Sequence, residues 1–384
     1  MKIGVIGVGR LGICFALLLE RAGHEVVGSD IRANYVSSLN RRQIVTNEPM
    51  VADMLTVSNN FRVTTDAREV LQQCNIVYVM VATPSLADGS YDISAVERVV
   101  ADIEECDFDL HGKVLVVGCT TNPGDCARIQ QRLRGKGIHV LYNPEFIAQG
   151  SIIKDLQNAD MVLIGGEDQS VMDEYAKIYD GIQVIRPNVH TMSLTAAELV
   201  KIGTNCFLTT KISYANMVGE VLIRSGLEAD VDRALLAIGN DSRVGTKYLR
   251  YGFGYGGPCL PRDNRAFAHY AKRVGLDFPL GSIVDQFNYS HTQFLTQYFV
   301  KENKDNKPFY INSIAYKKGT DIFDESQQYQ LCLNLLEDGQ TVIVENDPTI
   351  PQSLRDKLTT SFKQQIKFLN LRDLDSDSVF EITL

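Results

Sequence analysis

The chain has no CxxC pair, no run of basic residues and no apolar stretch of membrane-spanning length. Each gap removes a class of protein. Eight cysteines are present, but without paired spacing or a secretory context they read as reduced thiols of a cytosolic protein, most of them core residues. Lys and Arg number 38 against 47 Asp and Glu, a net charge of −9. With no basic run to release counterions from a phosphate backbone, nucleic acid is not expected as the main partner. That argument leaves room for a local site that takes a small anion. No apolar run can span a bilayer, and the N-terminus is expected to enter a strand directly, without charged leader or cleavage site. Neither a membrane nor a metal-ligand set is therefore assigned, and a cytoplasmic location is expected. Tandem repeats and low-complexity tracts are also missing.

What remains is a chain of 384 residues, 45% hydrophobic and 22% charged, long enough for two or three domains with separate cores. To about residue 187, β-like runs alternate with helical ones. The expected strands cover 3–6, 25–29, 76–81, 113–117, 139–142, 161–164 and 183–185. This rhythm predicts a parallel sheet with helices on both faces. Residues 193–224 then show helical periodicity with no Pro and only two Gly. A helix that long bridges domains or lines a subunit interface, and its apolar positions Leu199, Ile202 and Leu208 are expected to bury against a second copy. From residue 308 the α/β rhythm returns, with strand 309–314, helix 326–338 and strand 341–345.

Two loops carry the chemistry. Gly7-Val-Gly-Arg-Leu-Gly12 follows the first strand and opens a helix, the context that turns GxGxxG into a dinucleotide fingerprint. Gly7 makes the turn, Gly9 admits a pyrophosphate and Gly12 lets helix pack on strand. Arg10 and Leu11 complete the cradle at a helix N-terminus whose dipole favours anions. Asp30, at the end of the second strand, is placed to accept from both ribose hydroxyls, which favours NAD over NADP. Arg32 is read as a solvated surface residue. The second loop, Gly254-Tyr-Gly-Gly-Pro-Cys-Leu-Pro-Arg-Asp263, presents Cys259 between two prolines with Arg262 nearby. A cation there favours the reactive thiolate. A tight turn around a buried cysteine is the plainer alternative.

Between these loops lie polar clusters at expected strand ends: Thr83-Pro84, Cys119-Thr-Thr-Asn-Pro-Gly124 and Asn143-Pro-Glu-Phe146. In open α/β sheets such loops share one cleft. Lys201 and Asn205 are four apart, hence on one face of the long helix. Taken singly, Lys201 also fits a solvated helix face, Asn143 and Pro144 a turn, and Thr120 a helix cap.

In order along the chain, these motifs, together with Asn47-Glu-Pro49, Arg243 and Ala315-Tyr-Lys-Lys-Gly-Thr320, resemble the UDP-glucose/GDP-mannose dehydrogenase family. The resemblance runs from Met1 to about Ser326. It implies an α/β fold with a Rossmann domain at 1–190, a central helical dimerisation region at 191–305, and a smaller, apparently shortened Rossmann-like nucleotide domain at 306–384. It also implies oxidation of a sugar nucleotide at carbon 6, from alcohol to carboxylate, with two NAD. Cys259 would be the nucleophile, with Lys201 and Asn205 stabilising alkoxide and oxyanion. Asp263, Glu145 and Thr120 would handle protons, and Thr83 and Thr120 would border the cofactor. Glu145, Phe146, Lys201, Asn205, Tyr248, Gly256 and Lys318 would face substrate. Arg243 would reach the neighbouring subunit's site, so a homodimer with composite sites is expected. The Asn-Pro-Glu-Phe pattern leans toward UDP-glucose; GDP-mannose and UDP-N-acetylhexosamines are the rival substrates, and a non-catalytic homologue and a two-electron dehydrogenase of the same fold are the alternatives of other classes. Two positions depart from the family pattern. Gln149 stands where a carboxylate is usual, and Asp324 where an arginine is usual.

Overall fold

The structure, a computed structural model, describes residues 1–384, the side chain of Ser376 excepted. It divides into two compact units, Met1–Ile202 and Gly203–Leu384.

The first unit is built on eight strands: β1 (Lys2–Ile6), β2 (Glu25–Ser29), β3 (Phe61–Thr64), β4 (Ile76–Val79), β5 (Val114–Val117), β6 (His139–Tyr142), β7 (Met161–Gly165) and β8 (Asn188–Met192). Their order is β3-β2-β1-β4-β5-β6-β7-β8. All neighbours run parallel except β6 and β7, which meet antiparallel through Tyr142 and Gly165. Because helices cover both faces, the inner strands read as continuous apolar runs; β5 is VLVV with three of its four residues buried. Helix Arg10–Arg21 buries eight consecutive residues, Gly12 to Leu19. The strand order reverses at β1, which has β2 on one side and β4 on the other. A doubly wound sheet opens its ligand crevice at such a point, beyond the strands' carboxyl ends.

Two details differ from expectation. Residues 183–185 form no strand; the edge strand is β8. Val184 donates its backbone N–H to Gln157 O at 2.8 Å, and the Gln183 side chain bridges Leu156 O and Ala159 N. Those bonds fold the segment onto a turn and leave Val184 and Ile185 exposed. Strand β3 was not anticipated, although Phe61 and Val63 point in and Arg62 points out, the alternation of a half-buried strand.

The long helix, Leu194–Arg224, has 31 residues and runs on into the second unit. There its Ala215 packs with Val231 and Leu235 of helix Val231–Gly239 and with Leu249. Helices Leu260–Arg273 and Leu280–Glu302 follow. The C-terminal sheet holds β9 (Phe309–Ile311), β10 (Val342–Glu345), β11 (Ile366–Leu369) and β12 (Phe380–Glu381) in the order β11-β10-β9-β12, all parallel. Phe294, Leu295 and Phe299 of helix Leu280–Glu302 form one core with Phe309, Leu331, Leu335 and Val342. Among the described residues no helix is long and apolar enough to cross a membrane.

On the long helix, Phe207, Tyr214, Met217 and Val221 are exposed. Their spacings of seven, three and four put them on one stripe. Ile202, expected on an intersubunit face, is buried within its own chain, and Leu199 and Leu208 are half-buried.

Candidate active site

The turn after β1 shows why three glycines are needed. Gly7 has φ +92°, and a side chain at Gly12 would collide with the Gly7 carbonyl oxygen. Nothing lies within 4 Å of the place a Gly9 Cβ would occupy. The loop is thus tight toward the protein and open on one side, above the N-terminus of helix Arg10–Arg21, a fit for a pyrophosphate. At the end of β2, Asp30 is gripped by a fork from Arg32, whose Nε and Nη2 each donate at 2.8 Å while its backbone N donates at 3.0 Å. Burial raises the Asp30 carboxyl, but the Arg32 side-chain and backbone hydrogen bonds and charge outweigh it and hold the pKa below the ordinary value. Arg32 is over half exposed, yet it is not simply a solvated side chain: it neutralises Asp30 and stacks 4.1 Å over the Tyr35 ring.

Beyond β6, the Asn-Pro-Glu-Phe loop enters a tyrosine-lined pocket. Asn143 is buried and donates from Nδ2 to Leu163 O at 2.9 Å, while its Oδ1 faces Tyr175 OH and Tyr179 OH, both at 2.5 Å. Tyr179 OH also lies 3.1 Å from Glu145 Oε1. Desolvation pushes the Glu145 carboxyl up to about 7, against the hydrogen bond from Tyr179 and the charge of Lys201. Lys201 is buried rather than part of a solvated helix face. Its Nζ donates to Glu145 O at 2.8 Å and sits 4.7 Å from the Phe146 ring centroid. A cation, an aromatic face and a carboxyl that changes state near neutrality are thereby brought together.

One turn before Lys201 stands Glu198, fully buried. It accepts from Thr121 Oγ1 at 2.7 Å, Gly124 N at 2.6 Å and Cys126 N at 2.9 Å. It therefore satisfies the first turn of helix Asp125–Leu133, whose N-cap is Gly124 and not Thr120. Burial raises the Glu198 carboxyl despite these donors. Thr120 is half-buried beyond β5, and Thr83 is buried beyond β4.

The thiol loop lies in the second unit. Of eight cysteines, none in a disulfide, Cys259 alone is exposed. Burial pushes the thiols of Cys14, Cys119, Cys206 and Cys332 up to about 12 and that of Cys74 to about 11, so these stay protonated. Cys259 is the N-cap of helix Leu260–Arg273, at the positive end of the helix dipole. Backbone clamps fix the loop. Gly252 N donates to Asn216 Oδ1, His291 bonds Gly252 O at 2.8 Å, Asn288 pairs with both backbone groups of Tyr255, and Gly257 N donates to Asp324 O at 3.0 Å. A side chain at Gly256 would strike the Glu325 carbonyl. Asp263 is buried, donates its N–H to Cys259 O, and accepts from Asn205 Nδ2 at 2.6 Å. Next to it, buried Asn264 donates to Gly281 O and Asp285 Oδ1.

Arg243 is exposed and folds back on Asp241, with Nη2 to Oδ2 at 2.7 Å. Tyr248 is exposed at φ +61°, and Lys318 is exposed. The departures have local consequences. Gln149 Oε1 accepts from Arg10 Nη1 at 2.5 Å, an acceptor role an amide keeps. Asp324 uses its backbone oxygen on Gly257, while the neighbouring Glu325 forms a fork with Arg265. Sequence reasoning missed Glu198, Tyr175 and Tyr179. The i, i+4 tyrosine pair and an acid three residues before Lys201 were the available signals, but both patterns are common on any helix.

A doubly wound sheet with an open glycine cradle at its switch point marks a dinucleotide-binding α/β protein. Comparison with known proteins gives the particular family. Residues 1–183 match the NAD binding domain, and residues 195–290 the central domain, of the UDP-glucose/GDP-mannose dehydrogenase family, and the chain belongs to that family. It is 30% identical over 371 residues to the UDP-glucose 6-dehydrogenase AglM of Haloferax volcanii, covering 93% of this chain and 85% of that one. To a GDP-mannose 6-dehydrogenase of Pseudomonas syringae it is 27% identical over 353 residues, covering 88% and 79%. The structure of a UDP-glucose dehydrogenase from Pyrobaculum islandicum superposes with a TM-score of 0.80 at 26% identity, covering 96% of this chain and 85% of that one. The protein is thus an NAD-dependent oxidoreductase of the nucleotide-sugar dehydrogenase family, with NAD as cofactor.

Proposed function

We propose that this protein oxidises carbon 6 of UDP-glucose to the carboxylate of UDP-glucuronate through a covalent intermediate on Cys259. The observation that carries the mechanism is the setting of that thiol: exposed, at a helix N-terminus, on a clamped loop, in a chain whose other cysteines are more enclosed. The glucose reading is supported by the names of relatives and by the Asn143-Pro-Glu-Phe146 loop. Two NAD, bound in turn, would supply the acceptors for the two hydrides, one each. Gly7, Gly9, Arg10, Leu11 and Gly12 would hold its pyrophosphate, Asp30 its ribose, and Thr83 and Thr120 its flank.

Glu145 takes the proton of the C6 hydroxyl, and the ammonium of Lys201 stabilises the alkoxide. Once carbon 6 is at the aldehyde level, the Cys259 thiolate adds to it and forms a C–S bond. The resulting oxygen is held by Lys201 and Asn205. After the second oxidation the carbon is a thioester. Water, deprotonated by Asp263 or through Thr120, attacks it, and the C–S bond breaks to return the thiolate and release the acid. By the family resemblance, Phe146, Tyr248, Gly256 and Lys318 would face the sugar nucleotide.

The exposed stripe of Phe207, Tyr214, Met217 and Val221 supports a homodimer, and the family resemblance would have Arg243 serve the partner's site. NADH yield per sugar, measured across UDP-glucose, GDP-mannose and UDP-N-acetylhexosamines, tests the reading. Two NADH with UDP-glucose alone is expected. One NADH, or a better rate with another sugar, replaces it. Mixing Arg243→Ala and Cys259→Ala subunits should recover activity, and no recovery in proven hybrids rejects the composite site.

A further inference from the structure

The Tyr179 hydroxyl carries one proton and has two acceptors within reach. Its oxygen lies 2.5 Å from Asn143 Oδ1 and 3.1 Å from Glu145 Oε1. The orientation of the Asn143 amide is set, because Nδ2 donates to Leu163 O at 2.9 Å and Oδ1 takes a second hydroxyl from Tyr175. Asn143 therefore faces Tyr179 only as an acceptor. The hydroxyl can serve Glu145 in both of its states. When the carboxyl is protonated, it donates to the Tyr179 oxygen, and Tyr179 donates onward to Asn143. When the carboxyl is ionised, the Tyr179 proton turns to the carboxylate. Both tyrosines are buried and well packed, Tyr175 against Tyr78 and Tyr179 against Phe15, so water does not compete for these positions.

We propose that Tyr179 is a positioning residue for Glu145, a reversible hydrogen-bond partner that holds the carboxyl in place and favours its ionised form. A bond donated to a charge is about twice as strong as one between neutral groups, so the hydroxyl opposes the desolvation that disfavours the carboxylate. Tyr179 is hydrogen-bonded to this carboxyl, while Tyr175 from the segment after β7, Tyr78 from β4 and Lys201 from the long helix interact with it through space. Lys201 is the only cation among them. It supports the same form by its charge, but its own hydrogen bond goes to the Glu145 main chain. Tyr179 is left as the side chain that touches the titrating oxygen. The inference rests on the acid–base role proposed for Glu145, but its central measurement does not require turnover.

The test is the titration of Glu145 followed by ¹³C NMR of glutamate carboxyls, the resonance being assigned by its loss in Glu145→Gln. Replacing Tyr179 by Phe should raise the titration midpoint by about one pH unit. Replacing it with 3,5-difluorotyrosine, which keeps the shape and strengthens the donor, should lower it. Tyr175→Phe, which touches Asn143 and not Glu145, should leave it nearly unchanged. The acid limb of kcat/KM should move with the midpoint, leaving the plateau at high pH in place. An unchanged midpoint in both Tyr179 variants overturns the proposal, as does a shift of equal size in Tyr175→Phe. A midpoint that moves while the rate profile stays fixed upholds Tyr179 and removes Glu145 from the reaction. Should Tyr179→Phe fail to fold, the fluorinated protein decides alone.

Discussion

Glu145 and Cys259 occupy opposite settings. The carboxyl sits in a pocket of tyrosines where burial moves its titration to about 7, and side chains do the tuning. The thiol is exposed, and the protein acts on it through the backbone, by clamping its loop and placing it on a helix N-terminus. A proton-transfer group must change charge near working pH, which calls for a dry environment. A nucleophile must be reached by its target and be anionic beforehand, which burial would prevent. Cys206 shows the point within the same unit: burial, with the charges of Asp263 and Asp285 adding to it, pushes that thiol up to about 12.

The sharpest way to break this contrast is at the thiol. Cys259→Ser should abolish net acid formation and accumulate an ester visible by intact mass, because a hydroxyl attacks poorly and an alkoxide leaves poorly. Full NADH yield from Cys259→Ala would end the assignment. Next in size is Asn205→Ala. It removes the proposed oxyanion donor and the 2.6 Å bond to buried Asp263, and should lower kcat by about 10²–10³ and also lower Tm, because the Asp263 carboxyl loses a donor.

The pocket can be probed without catalysis. Glu145 binds its proton more tightly in the folded state, with a pKa of about 7, than in the unfolded chain. Between about pH 4 and 7 the native state therefore holds more protons, and stability falls as pH rises through that window. Glu145→Gln should unfold at a higher denaturant midpoint than wild type at pH 8, by about 1–3 kcal/mol, and show no gain near pH 4. Equal stability at both values would mean the carboxyl is well solvated. The smallest effect is expected at the cofactor end. Asp30→Ala should raise KM for NAD roughly tenfold and release Arg32 toward a 2′-phosphate, so initial rates with NADP should improve.

Much of the site was readable because glycine and proline punctuate it. A turn with φ +92° at Gly7 and the close approach of Gly12 to its carbonyl can be met by few residues, so the need shows in the sequence. The same holds for the loop before Cys259. The partners of those loops were not readable. Thr121 and Glu198 are 77 positions apart, and Tyr179 is 34 from Glu145; no local pattern marks such pairs. Lys201 shows the limit from the other side. Its helical spacing fitted a solvated face, and only packing reveals it as buried on the Glu145 carbonyl.

Hydrophobic period and glycine placement, which act over a few residues, settled most of the strand–helix rhythm, the glycine turn after β1 and the loop that carries the thiol. Protonation and pairing were decided only by the tertiary structure. How strongly Glu145 holds its proton, which hydroxyl serves it and whether Arg32 grips Asp30 depend on what folds over each group. Desolvation and hydrogen bonding are set by that enclosure, which is assembled from segments far apart in the chain.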